Sequence, residues 1–284
     1  MIRAVGVGMI LLFLQWGLGF DGGQPFCQMH APEIIGLLIA AAAAGAINAV
    51  AGGGTLVTFP VLLLLGVPPV VANATNTVAL VVGTAGSIFG YRRHAAMVKH
   101  WLSRFLPVSL LGGLIGGILL TRTSNEVFSK LVPFLILFAT LLFLAQGAFR
   151  RRAGLDGVGG VRQQSVAVAI LFQFAVALYG GYFGAGIGIL MLASLGFIGL
   201  SNIYEMNALK TILGSLINLV AALWLITAGL VDWPRALIMS AGALGGYFLG
   251  AHFSQQISQR AVRLIITGVG FAITAAMFYK QFCR

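Results

Sequence analysis

The sequence predicts an all-α, polytopic integral membrane protein made of two inverted repeats with glycine-broken or re-entrant helices. Three observations carry that expectation. Of 284 residues, 59% are hydrophobic and only 8% are charged, with a mean hydropathy of +1.00; soluble domains carry about 25% charged residues. Apolar segments near the roughly 17–25 residues that cross a bilayer recur along the chain. Twice, about 133 residues apart, a glycine-rich break interrupts an apolar segment and a helix with a polar face follows.

In chain order, Met1–Phe20 has one arginine, Arg3, and then an apolar run. The run suits a signal sequence, but no A-x-A cleavage site follows, so an uncleaved first helix is expected. Asp21–Pro32 is polar and reads as an exposed linker, which closes an N-terminal unit at residues 1–33. The first membrane repeat, 34–149, holds apolar segments at about 34–51, 54–66, 70–91, 104–121 and 127–149. A basic linker at 150–164 contains Arg150, Arg151, Arg152 and Arg162. The second repeat, 165–284, holds segments at about 165–183, 187–200, 205–228, 235–252 and 260–281. Segments 54–66 and 187–200 are too short to span comfortably. At about 1.5 Å per residue they cross roughly half to two-thirds of the hydrocarbon core. Each is either a re-entrant half-helix or a cramped crossing.

The two repeats align. Ala51-Gly52-Gly53-Gly54-Thr55 falls on Gly184-Ala185-Gly186-Ile187-Gly188, and Gly66 falls on Gly199. Gly112, Gly113 and Gly117 fall on Gly245, Gly246 and Gly250 at the same offset. After a one-residue shift Asn73 meets Asn207, which puts Asn76 opposite Lys210 and Thr77 opposite Thr211.

Charge sets the expected orientation. The 17 basic and 6 acidic residues give +11, and the basic residues cluster in short loops, as the positive-inside rule expects. Placing 91–104 and 150–164 in the cytoplasm puts Arg3, Arg260 and Arg263 there too. Arg122, Lys130, Arg235, Lys280 and Arg284 then lie outside, and Lys210 lies within the membrane. The first half starts outside and the second inside, so the repeats are inverted.

Composition and motifs exclude other classes. Nothing resembles a nucleic-acid motif, and His30, His94, His100 and His252 show no zinc spacing. Cys27 and Cys283 read as free thiols, or as a disulfide if both face an oxidising side. With no nucleophile elbow, phosphate loop or Ser/His/Asp arrangement, neither an enzyme nor a cofactor is expected. The expected partners are the lipid bilayer and a small solute.

Irregular backbone at membrane depth survives only where protein or a watery cavity satisfies its polar groups. The breaks at Gly52, Gly53 and Gly54, and at Gly184, Gly186 and Gly188, therefore read as places where backbone approaches a ligand. The N–H groups opening segments 55–66 and 188–200 are expected to be free, and helix N-termini suit anions. Gly112–Gly117 and Gly242–Gly250 read instead as close helix packing. Asn73, Asn76 and Thr77 share one helix face; Asn207, Lys210 and Thr211 repeat it, and Asn48 lies one turn before the first break. These residues, with Thr55, form the candidate substrate site. Lys210 is by default functional, as an ionisable group in a membrane segment; the plainer reading is a pairing with Glu205 or a lysine reaching the cytoplasmic surface. For the amides and hydroxyls the plainer reading is interhelical hydrogen bonding. Glu205 is the only carboxylate expected near the site, and no metal site is expected, so a small anion fits better than a cation.

The stretch AGGGTLVTFPVLLLLGVPP, the helix ANATNTVALVVGTAGSIFGYRR and the second copy YFGAGIGILMLASLGFIGL with NALKTILGSLINLVAAL resemble the sulfite exporter TauE/SafE family of membrane permeases. The resemblance covers about residues 34–281. It implies transport of small anions, often sulfur-containing ones such as sulfite, sulfoacetate or thiosulfate, across the bacterial cytoplasmic membrane. Gly-Ala-Gly-Ile-Gly departs from a run of glycines, which puts the equivalence of the two half-sites in question. Alternating access around a midplane anion site is the expected mechanism. A permease for a divalent cation or other small solute, and a non-transporting membrane scaffold, are the rival readings.

Overall fold

A computed structural model describes residues 29–50, 53–90, 98–152, 166–197, 203–253 and 259–282. Met1–Phe20, Cys27, Gly52 and Cys283 lie outside the described residues. Ten helices are described: α1 Ala31–Val50, α2 Thr55–Leu64, α3 Pro69–Gly90, α4 Lys99–Arg122 and α5 Asn125–Arg152, then α6 Val166–Tyr182, α7 Ile187–Phe197, α8 Ile203–Thr227, α9 Trp233–Phe253 and α10 Gln259–Phe282. The protein is all-α among the described residues. Four helical stretches there are long and apolar enough to cross a membrane, namely Ala31–Ala49, Lys99–Arg122, Asn125–Ala145 and Glu205–Thr227. Each apolar segment read between residues 34 and 281 corresponds to a helix among the described residues.

Local chemistry explains several boundaries. Pro32 and Pro234 sit in the first turns of α1 and α9, and Pro69 opens α3, where a missing N–H costs no helical bond. α6 ends at Gly184, whose φ of +80° is a left-handed stop, and its N–H bonds the Tyr179 carbonyl at 3.2 Å. Gly66, at φ +78°, turns the chain out of α2.

α2 and α7 have only 10 and 11 residues, about 15 Å each. The start of α2 lies against Ala44, near the far end of α1; a Cβ on Gly54 would overlap the Ala44 carbonyl. Its last turn leads into α3, whose Val70 N–H donates to Asn125 Oδ1 at the start of α5 (3.0 Å). Meanwhile α1 begins beside α9, through Glu33 and Arg235, and Asp232, just before α9, bonds Thr75 of α3. So α2 doubles back along α1 toward the end at which α1, α3, α5 and α9 begin. The hairpin α6–α7 opens where α4 begins, in a buried cluster that joins Val98, Phe105, Ala169, Leu195 and Met206.

The longest seams are α1 on α9 and α4 on α6, each joining one half to the other. α3 packs on α9 and on α8, α8 packs on α4, and α5 packs on α10. Exchanging the halves exchanges these pairs: α1–α9 becomes α6–α4, α3–α9 becomes α8–α4, and α3–α8 and α5–α10 map onto themselves. Small residues make the seams. A Cβ on Gly242 or Gly246 would overlap the carbonyls of Leu38 or Ala42, and one on Gly250 would press on Ala46. Gly112, Gly113 and Gly116 play the same part against α6 and α8, whereas Gly245 faces open space. Close backbone approach of this kind suits membrane helices, which gain little from hydrophobic burial. Large apolar side chains such as Ile39, Leu111, Phe134, Leu171 and Phe248 are exposed, as a lipid-facing perimeter requires.

Candidate functional site

The two breaks meet at one side chain. Gly53 has φ +114° and Gly186 has φ +77°, values at which an L side chain is strained. A Cβ on Gly53 would overlap the ring tip of Phe143, and one on Gly186 would lie 3.8 Å from the same ring. Phe143, on α5, is fully buried. The first half thus supplies the ring that fills the space between the breaks.

Around α2 the polar groups satisfy one another. Asn48 Oδ1 accepts the N–H groups of both Gly53 and Gly54 at 2.7 Å. Of the donors expected free at the start of segment 55–66, the Leu56 and Val57 N–H groups bond the Gly53 and Gly54 carbonyls at 3.0 and 2.9 Å. An amide one turn before the break is close enough to fold back on it, and does so. The Asn48 amide also bonds the Tyr247 side chain on α9. Asn76, 1% exposed, donates from Nδ2 to Thr55 Oγ1 (3.3 Å) and accepts from the Thr58 hydroxyl. Thr77 donates to the Asn73 carbonyl at 2.8 Å, one turn back on its own helix.

Asn73 is different. Its Nδ2 donates to the Tyr182 carbonyl at 2.9 Å, at the end of α6. That bond fixes which way the amide points, and the buried Oδ1 has no hydrogen-bond partner. The candidate site therefore presents a buried acceptor as well as donors.

Around α7 the arrangement changes. Positions equivalent to Thr55, Thr58, Asn76 and Asn48 are Gly188, Met191, Lys210 and Gly181, so the side-chain hydroxyls and the amide that close the first break are missing. The Lys210 stem takes the place of Asn76: a Cβ on Gly188 would lie 3.4 Å from Lys210 Cδ. Asn207, Lys210 and Thr211 are half-buried on α8. Gly184 terminates α6, and Asn218 lies beside it. The structure brings Asn48, Gly53, Gly54, Thr55 and Asn76 into one cluster, and Gly188 and Lys210 into another. Gly52 lies outside the described residues.

Sequence reading missed Thr58, Phe143, Tyr247 and Thr75. Only Thr58 leaves a local signal, as the hydroxyl three residues after Thr55 on the same helix face. It also missed a second charged cluster, in which Glu33, Asp232 and Arg235 are brought together from α1 and the start of α9.

Residues 37–277 match the family described as Sulfite exporter TauE/SafE. The chain is 30% identical over 238 residues to a "Probable membrane transporter protein" of Haemophilus influenzae, covering 83% of this chain and 90% of that one. It is 27% identical over 249 residues to "Probable membrane transporter protein ORF9" of Sinorhizobium sp, covering 84% and 90%. Over 260 residues it is 25% identical to "Probable membrane transporter protein YfcA" of Escherichia coli K12, covering 89% and 93%. No solved structure matches.

Proposed function

The chain belongs to the sulfite exporter TauE/SafE family and is a multi-pass transporter of the bacterial inner membrane; from that premise we propose that it carries a small anion, of the sulfite, sulfoacetate or thiosulfate type, by alternating access between two inverted repeats. One observation carries the choice of charge and place: Lys210 lies against the opening turn of α7, where the first half has Asn76 closing α2 with Thr55 and Thr58. The N-terminus of a helix carries about half a positive charge, and a lysine beside it adds another. Together they present positive charge to an anion at that turn. The anion therefore sits at α7, between the Lys210 side chain and the backbone that begins at Gly188. Asn207 and Thr211, on the same face of α8, donate to it.

The first break is a framework in this reading. Its hydroxyls and amides are occupied with each other, and Phe143 closes it. Asn73, held by the end of α6, presents its Oδ1 to a donor on the ligand or its water.

Uptake of sulfite, thiosulfate and sulfoacetate into proteoliposomes tests the proposal. Saturable flux of one of them is expected, falling at least about tenfold, or about 1.4 kcal/mol, in Lys210→Ala and largely retained in Lys210→Arg. Gly188→Ala makes only ordinary contact with Lys210, so it folds normally and impairs flux by crowding the anion. Flux of a divalent cation instead, or anion flux indifferent to Lys210, overturns the site.

A further inference from the structure

Three charged side chains are held together away from the proposed anion site. Arg235 donates from Nη2 and Nε to Glu33 Oε1 at 2.7 and 3.0 Å, and from Nη1 to Asp232 Oδ2. All three are largely removed from solvent, with side chains 7–16% exposed. Asp232 also reaches the site helix: its N–H donates to Thr75 Oγ1 on α3 at 3.0 Å, and Thr75 is fully buried between Ala74 and Asn76. The cluster therefore ties α1, α9 and α3 at the end where all three begin.

The charges are arranged as a compensated tie. Glu33 is in the first turn of α1, and Asp232 precedes α9 and accepts the Arg235 N–H at 3.3 Å. Each carboxylate thus faces a helix N-terminus worth about half a positive charge. With the guanidinium, two negative charges are matched by about two positive ones. The set is nearly neutral as a whole. Removing one member leaves the others uncompensated in a buried site, which is the costly way to break such a group.

The equivalent positions of the other half do not repeat the tie. Positions equivalent to Glu33, Asp232, Arg235 and Thr75 in the other half are Val166, Lys99, Leu102 and Leu209, which offer no carboxylate and no hydroxyl. Building on the transporter reading, we propose that Glu33, Asp232 and Arg235 are positioning residues that latch the site helix α3 and hold this end of the path shut, so that the transport cycle is biased toward opening at the opposite end.

Two cysteine reporters test this in the full chain reconstituted in liposomes, with Cys27 and Cys283 changed to serine. Val78→Cys lies in the buried seam between α3 and the start of α9, and Leu195→Cys lies in the cluster at the opposite end. A membrane-impermeant maleimide is the probe. Glu33→Gln and Arg235→Gln are expected to raise labelling at position 78 at least about tenfold, with no rise at 195. The reversed pair Glu33→Arg with Arg235→Glu is expected to restore protection. Equal labelling at 78 in a monodisperse variant overturns the latch, and so does a rise at both positions. If Arg235→Gln does not fold, Glu33→Gln, which keeps the Asp232–Arg235 pair, gives the answer alone. Labelling needs no substrate, so failed anion flux with intact latch behaviour rejects the transport reading and not the latch.

Discussion

At the scale of single residues, the same side chain reads differently according to what it can reach. Asn48 looks from its spacing like a ligand-binding amide, yet it accepts Gly53 and Gly54 N–H. Asn48→Ala leaves two buried donors unpaired and is expected to cost about 1–3 kcal/mol, seen as a lower midpoint of thermal unfolding in detergent. Asn48→Asp keeps the acceptor and is expected to recover most of that loss. Phe143→Ala removes the ring shared by both breaks, at roughly 3–5 kcal/mol for an unfilled cavity. The sequence announces Gly53 as special but is silent on the ring, because Phe143 is about ninety residues away and nothing in an apolar helix marks which phenylalanine turns inward. Lys210 was legible for the opposite reason, since a charge in an apolar segment needs a cause wherever it lies. Glu33, Asp232 and Arg235 sit at helix starts, where charges are ordinary, so their convergence shows only in three dimensions.

Among the elements, the helices were the readable part. Alternation of long and short apolar segments with proline and glycine punctuation gave every described helix to within a few residues, with the start of α4 the largest difference, at Lys99 where the apolar run begins near 104. The charged first turn of α4 hides that start from any hydropathy reading. Packing partners were less legible. The glycine spacing in 242–250 announces a close contact but does not say against what. The structure supplies α1, and separates Gly246 from its neighbour. Gly246→Ala drives a methyl into the Ala42 carbonyl and should cost about 1–3 kcal/mol, as overpacking does; Gly245→Ala meets nothing within 4 Å and should leave the unfolding midpoint unchanged or slightly higher. Equal effects of the two in a thermal unfolding assay would contradict the α1–α9 seam.

Across the whole molecule, the two halves are interleaved. The most extensive packing of α1 is against α9, and the bond from Arg235 to Glu33 spans 202 positions of sequence. A ribosome therefore delivers the first hairpin to the bilayer long before the surface that covers it exists. During that interval, Ala42 and Ala46 must wait against lipid, and the Glu33 carboxylate must wait in water at the membrane edge. Neither half can complete its seams alone, since α4 in turn waits for α6. Residues 1–152 and 153–284 expressed separately should each be degraded, and co-expressed from two genes they should protect each other and co-purify. Stable accumulation of either half by itself would show that its helices find sufficient partners within it. On this view biosynthesis has a late checkpoint, met only when α9 arrives.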